Sequence, residues 1–110
     1  MNKIYISILL FLISNKAFTI SINNTKRISE FEYSYAFTEG TKQYLFGNSQ
    51  QALILYLQCI KYDKLNPSAY FQSSIILSEN KLFDKALEQA KNAYELDKNN
   101  IWYGINYFKC

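Results

Sequence analysis

A chain of 110 residues has room for one small domain, and an aromatic content of 17%, carried by ten Tyr and eight Phe, suits a packed core rather than a disordered segment. The formal net charge is +3, but outside residues 1–17 it falls to ten basic against nine acidic residues, or +1, with no block of like charge. This excludes an electrostatic nucleic-acid binder, which needs clustered Lys and Arg, and Arg27 as the single arginine leaves no guanidinium cluster for phosphate or carboxylate.

The chain opens on MNKIYISILLFLISNKA: basic Lys3, a run from Ile4 to Ile13 that is apolar apart from Ser7, then polar Ser14-Asn15-Lys16. As a helix that run reaches about 15 Å, half of a hydrocarbon core, so it is too short to span. A charged head, a short apolar centre and a polar end with a small residue fit a secretory signal peptide over residues 1–17, cleaved after Ala17. The expectation is an exported protein, periplasmic or envelope-associated if the source is bacterial. With no cysteine near the end of the apolar run, a bacterial lipid-anchor signal is not present. The alternatives are an uncleaved membrane anchor over residues 4–22, the only route by which a membrane becomes a partner, and a buried N-terminal helix. Residues 18–32, FTISINNTKRISEFE, read as a linker into the first helix of the domain.

From residue 33 onward the chain repeats. A displacement of 34 residues sets Ser34 over Ser68, Phe37 over Phe71, Ala52 over Ala86, Leu53 over Leu87, Asp63 over Asp97, Lys64 over Lys98 and Asn66 over Asn100, without a gap. The first unit, 33–66, predicts a helix from about Ser34 to Phe46, a turn at Gly47-Asn48, and a second helix from about Ser49 to Tyr62. Gly47 suits the left-handed residue that ends a helix, and Asn48 suits the next N-cap.

The second unit, 67–100, starts on Asn66-Pro67, a capping residue followed by the residue best tolerated at the first helical position. Its first helix runs through SAYFQSSIILSEN, with Tyr70, Phe71, Ser74, Ile75 and Leu77 on a mixed apolar face, and Asn80-Lys81 turns the chain. In its second helix Phe83, Ala86, Leu87, Ala90, Ala93 and Tyr94 recur at three- and four-residue steps and draw one apolar stripe. Lys91 and Glu95 are spaced for a weak surface ion pair. Residues 101–110, IWYGINYFKC, read as the first helix of an incomplete third unit. Trp102, Ile105, Tyr107 and Phe108 would lack a second helix to cover them. The expectation is that the array continues in a longer protein or that this edge docks on another chain.

A 34-residue period with two antiparallel helices per unit resembles the tetratricopeptide repeat, whose pattern is W-x2-L-G-x2-Y…A-x3-F…P. The first unit offers Ala36, Glu39, Gly40 and Gln43, then Ala52, Tyr56 and Lys64. The second offers Tyr70, Ser73, Ser74 and Leu77, then Ala86, Ala90 and Lys98. Gly40, the alanines Ala52 and Ala86, Tyr56 and Tyr70 agree in kind, whereas Glu39, Gln43 and the two lysines in the place of proline depart from the pattern. The resemblance covers residues 33–100, about three fifths of the chain, and is clearer in the second unit. It implies an all-α solenoid of tandem antiparallel helix pairs, about two and a half units over residues 33–110, similar to an exported bacterial member of the family.

The same resemblance implies a groove lined by the first helices, with Phe37, Thr41 and Tyr44 from the first unit, Phe71, Ile75 and Ser78 from the second, and Trp102 from the third. The family's best-known ligand mode clamps a terminal carboxylate with Lys, Arg and Asn. The corresponding residues here are Phe37, Thr41, Gln72, Trp102 and Asn106, which include no cation. An apolar or aromatic ligand surface for a protein or peptide partner is therefore expected. The alternative makes Phe37 and Phe71 ordinary packing between helices.

Residues that carry chemistry are few. With no histidine, the commonest general base and metal ligand is missing. Cys59 stands where the other copy has Ala93, which predicts a small buried thiol, and Cys110 is expected to be exposed. Two cysteines are no disulfide framework, although a Cys59–Cys110 bond is open in an oxidising compartment. No base stands beside either thiol, Glu30 and Glu32 fall in the expected linker, and three glycines form no phosphate-cradling run. The expectation is a protein that is not an enzyme, with no catalytic residues, metal or cofactor. Its expected task is to scaffold protein–protein contacts, or alternatively to assemble through Trp102, Ile105 and Phe108.

Overall fold

Helices form where apolar residues recur at helical spacing, and each ends at a residue with special backbone chemistry. The computed structural model describes the backbone of residues 2–110 and the side chains of Lys3, residues 5–10 and residues 21–110. The described residues form five helices: α1 (Asn2–Leu45), α2 (Ser49–Tyr62), α3 (Pro67–Glu79), α4 (Phe83–Leu96) and α5 (Ile101–Lys109). Each packs against the next in the chain, and no strand occurs among the described residues. The architecture is all-α.

The expected linker over residues 18–32 is helical instead and continuous with α1. FTISINNTKRISEFE contains neither Pro nor Gly, so nothing in it breaks the backbone ladder. At 1.5 Å per residue, α1 with its 44 residues reaches about 66 Å, which sets the 72 Å long axis of the molecule. The described side chains of α1 before Ser29 are all exposed, and its first buried residue is Tyr33. The apolar run to Ile13 and the cleavage position at Ala17 extend into residues 11–20, whose side chains lie outside the described residues. No helix among the described residues is long and apolar enough to cross a membrane.

The joints between helices repeat with the 34-residue period. After α1, Gly47 takes φ +84°, its N–H donates to the Tyr44 carbonyl at 3.0 Å, and the Asn48 N–H donates to the Gln43 carbonyl at 2.9 Å. That pair of bonds is a Schellman closure. After α3 the equivalent Lys81 takes φ 61°, with Lys81 N–H to Ser78 O at 3.0 Å and Leu82 N–H to Leu77 O at 2.9 Å. Asp63 and Asp97 end α2 and α4 with φ −147° and −148°. Asn66 and Asn100 cap α3 and α5, their side chains accepting from Ser68 N–H and from the N–H groups of Trp102 and Tyr103. Asn48 holds the N-cap position of α2 but makes no capping bond. Its amide instead donates to Gln43 Oε1 at 2.8 Å, a partner that the closure of α1 brings alongside it.

The core is built from small residues set against rings. Ala36 and Gly40 of α1 face α2, where Ala52, Tyr56 and Cys59 are fully buried. A methyl group added at Gly40 would lie 3.1 Å from the Tyr56 ring, so the missing side chain makes room for that ring. In α4 the buried stripe is Ala86, Ala90 and Ala93, narrower than expected. Phe83 and Leu87 are 59% and 41% exposed, because three alanines bring the facing backbone too close to admit large side chains. On α3 the buried residues are Ala69, Ser73, Ser74, Ile76 and Leu77. Phe71 and Ile75 are only half-buried, because they lie on the side of α3 that faces two open hollows rather than on the faces covered by α2 and α4.

Candidate functional site

Four contacts hold α1, α3 and α5 side by side. The Ala69 N–H donates to Tyr33 Oη at 3.2 Å, and Tyr44 Oη donates to Glu79 Oε1 at 2.7 Å, both joining α1 to α3. Asn106 Nδ2 donates to Ser74 Oγ at 2.7 Å, and the Phe71 and Tyr103 rings lie 5.0 Å apart, joining α3 to α5. Along this side the first helices of successive units meet directly, and two hollows open between them.

The first is a cleft of about 380 Å³ lined by Phe37, Ser68, Phe71, Gln72, Asn100, Trp102 and Tyr103. Phe37 is half-buried, with its ring 6.0 Å from Tyr33 and 5.3 Å from Tyr56, so it serves the core and the cleft wall together. Trp102 is 68% exposed and stands at the rim. The second hollow, about 370 Å³, is lined by Ile75, Ser78, Glu79, Phe83, Asn106, Lys109 and Cys110.

The seven groove residues are thus divided. Phe37, Phe71 and Trp102 share the first cleft, while Ile75 and Ser78 line the second hollow. Thr41 and Tyr44 line neither. The Thr41 hydroxyl donates to the Phe37 carbonyl at 2.9 Å and lies 3.0 Å from Tyr56 Oη, which commits it to the contact between α1 and α2. The Tyr44 hydroxyl is committed to Glu79, and that bond, followed by partial burial, raises the phenol above its ordinary value. Ser68, Gln72, Asn100 and Tyr103 are cleft residues that the groove assignment omits, Gln72 entering the resemblance only as a position of the carboxylate clamp. The period carries a signal for Ser68, since Trp102 is its equivalent one unit on; Asn100 and Tyr103 reach the cleft through the N-cap of α5.

The cleft is electrically neutral, because no lining residue carries a charge. Its polar side chains bring both donors and acceptors. Asn100 Oδ1 already accepts from Trp102 N–H at 3.0 Å and Tyr103 N–H at 3.4 Å, leaving its amide Nδ2 to serve a ligand. Among the described residues the Gln72 carboxamide, the Ser68 hydroxyl and the Trp102 indole N–H make no side-chain hydrogen bond.

Cys59 is fully buried, its thiol donating to the Tyr33 carbonyl at 3.5 Å, and burial pushes the thiol from its ordinary 9.0 up to about 11. It is a packing thiol, as its equivalence with Ala93 predicts. Cys110 is exposed, and both cysteines are free. Among the described residues no group of three or more Cys, Asp and Glu side chains is arranged to hold a metal ion. No family model matches this chain, and no curated protein is significantly similar to it.

Proposed function

We propose that the chain is a non-catalytic tetratricopeptide-like scaffold, an α-solenoid of two and a half units, that holds a partner protein's peptide or helix against its first helices. One observation carries this reading. Phe37 and Phe71, one period apart, line a single open cleft with Trp102, and the rings retain exposed apolar surface there. Exposed aromatic surface gathered in one concavity is what a binding hot spot requires.

The test is direct binding. A photo-crosslinker placed at Gln72 of the full chain identifies the partner in its native extract, and the purified partner is then titrated against purified protein. Trp102→Ala weakens that binding about tenfold or more with helicity unchanged. Affinity undiminished in this variant removes the cleft from the reading. Export is part of the same proposal, with residues 1–17 acting as a signal peptide. N-terminal sequencing of the protein from its source then reads Phe18 first, whereas an intact Met1 favours an anchor over residues 4–22.

A second reading is favoured by α5, where Ile101, Ile105 and Phe108 are exposed, the last by 75%. On this reading Trp102, Ile105 and Phe108 form an edge for self-association or for docking to the rest of a larger protein. Sedimentation of the full chain at concentrations about a hundredfold apart separates the two. A mass that rises with concentration, and returns to the monomer in Phe108→Lys, supports assembly. A monomer at both concentrations sinks it.

A further inference from the structure

The groove's partner is chosen by its hydrogen-bonding chemistry as well as by its apolar surface. Four rings wall the first cleft, from Phe37, Phe71, Trp102 and Tyr103, and no charged group lines it. A ligand fixed by a carboxylate, phosphate or ammonium would find no counter-charge there. Among the described residues the cleft offers three donors without a side-chain partner, Gln72 Nε2, Asn100 Nδ2 and the Trp102 indole N–H, beside Gln72 Oε1 and the Ser68 hydroxyl. Asn100 Oδ1 is taken by the N-terminus of α5, so Asn100 faces a ligand as a donor alone.

A helical ligand fits this set poorly. Its carbonyls are bonded within the helix, so the cleft donors would be desolvated without partners, a costly arrangement. An extended strand fits no better, because its N–H groups need a ladder and the described residues include no strand edge to supply one. A polyproline II segment has the complementary inventory: carbonyls that are free because the helix has no internal hydrogen bonds, few N–H groups, and flat apolar rings that pack on aromatic faces.

Resting on the groove reading above, we propose that the cleft of Phe37, Phe71, Gln72, Asn100, Trp102 and Tyr103 recognises an uncharged, proline-rich segment of a partner protein. The rings take prolyl faces and the three donors take carbonyls. The cost of ordering such a segment is low because polyproline II is preformed.

Trp102 is the single tryptophan and stands exposed in the cleft wall, so its fluorescence reports occupancy without a label. The full chain is titrated with decaproline, with an uncharged Gly-Ser peptide of equal length, with an amphipathic helical peptide and with a soluble β-linked hexasaccharide. The expected result is a saturable blue shift with decaproline alone. Phe71→Ala and Gln72→Ala each weaken it about fivefold or more while retaining the Trp102 reporter. Gln72 forms no side-chain bond within the described chain, so its variant keeps the test valid even if Phe71→Ala unfolds. A shift with the helical peptide and not with decaproline overturns this inference and leaves the groove reading standing. A shift with the hexasaccharide alone overturns both in favour of a glycan site. Silence from all four overturns the proline-rich assignment, and the partner titration above then decides the groove reading separately.

Discussion

The helix pairs α1–α2 and α3–α4 share a backbone and differ in what fills it. Their joints coincide to within a few tens of degrees, with φ +84° at Gly47 against 61° at Lys81 and −147° at Asp63 against −148° at Asp97. The residues in equivalent buried seats are nevertheless unlike. The first pair sets the bare backbone of Gly40 against the ring of Tyr56, where the second has Ser74 and Ala90, both fully buried. Cys59 likewise answers to Ala93. What the repeat preserves is the path of the chain and not its filling: the missing side chain at Gly40 makes room for the Tyr56 ring, and where Ser74 takes that seat the facing residue is the small Ala90.

The strongest way to break this comparison is to empty the seat of Tyr56. Tyr56→Ala costs about 3–5 kcal/mol in a denaturant titration, since a fully buried ring leaves a cavity behind. Gly40→Ser alone crowds the ring 3.1 Å away and costs about 1–3 kcal/mol. Together the two changes install the Ser and Ala combination of the second pair. The double variant therefore loses less than the two single losses added, by about 1 kcal/mol or more. Strict additivity would show that the two seats are independent and that the choice at one does not constrain the other.

Alkaline pH sharpens the same comparison, because the buried titratable groups fall in the first pair. Burial holds the Cys59 thiol at about 11 against 9.0 when unfolded, so stability present below pH 9 is lost as pH rises from 9 toward 11. The size of that loss is about 2 kcal/mol, and Cys59→Ala removes it. The phenols of Tyr33 and Tyr56 are also pushed above their ordinary 10.0 by burial, which adds a later loss that Cys59→Ala leaves in place. Unfolding titrations of both proteins at pH 8, 9.5 and 11 check the order. A Cys59→Ala variant that follows the parent at every pH would place the loss elsewhere.

Tyr33→Phe comes next in size. It deletes the acceptor for the buried Ala69 N–H and costs about 1–3 kcal/mol, although only one oxygen is removed. Hydrogen exchange locates the effect: the Ala69 amide loses protection in the variant more than the amides of α4 do. This contact also marks where the sequence stops being legible. The period, the turn at Gly47 and the cap at Asn66 can all be read because their causes lie within a few residues of the effect. Tyr33 and Ala69 are 36 residues apart, and Tyr44 and Glu79 are 35, so no local pattern announces either bond. The same distance explains the groove. Phe37 and Phe71 stand one period apart, and they and Trp102 are what the resemblance to a tetratricopeptide array implies, whereas the hydroxyls of Thr41 and Tyr44 are taken by Tyr56 and Glu79, partners visible only once the helices have packed. Asn48 misled for a related reason: its sequence context is that of a cap, but the Schellman closure delivers Gln43 to its amide first.

The smallest expected effect separates path from side chain most cleanly. Gly47 and Lys81 occupy equivalent seats with positive φ, yet only glycine enters that region without steric cost. Nothing lies within 4 Å of a methyl group built at Gly47, so Gly47→Ala meets no crowding and any loss is backbone strain alone, about 1 kcal/mol. Lys81→Gly relieves the same strain at the other joint. It gains up to about 1 kcal/mol, reduced by the greater freedom of glycine in the unfolded chain. Thermal melts of the two variants should therefore move in opposite directions by a few degrees. If Lys81→Gly instead lowers the midpoint, the lysine side chain and the freedom of glycine in the unfolded chain together outweigh the relieved strain. The two joints would then share an angle without sharing a cause.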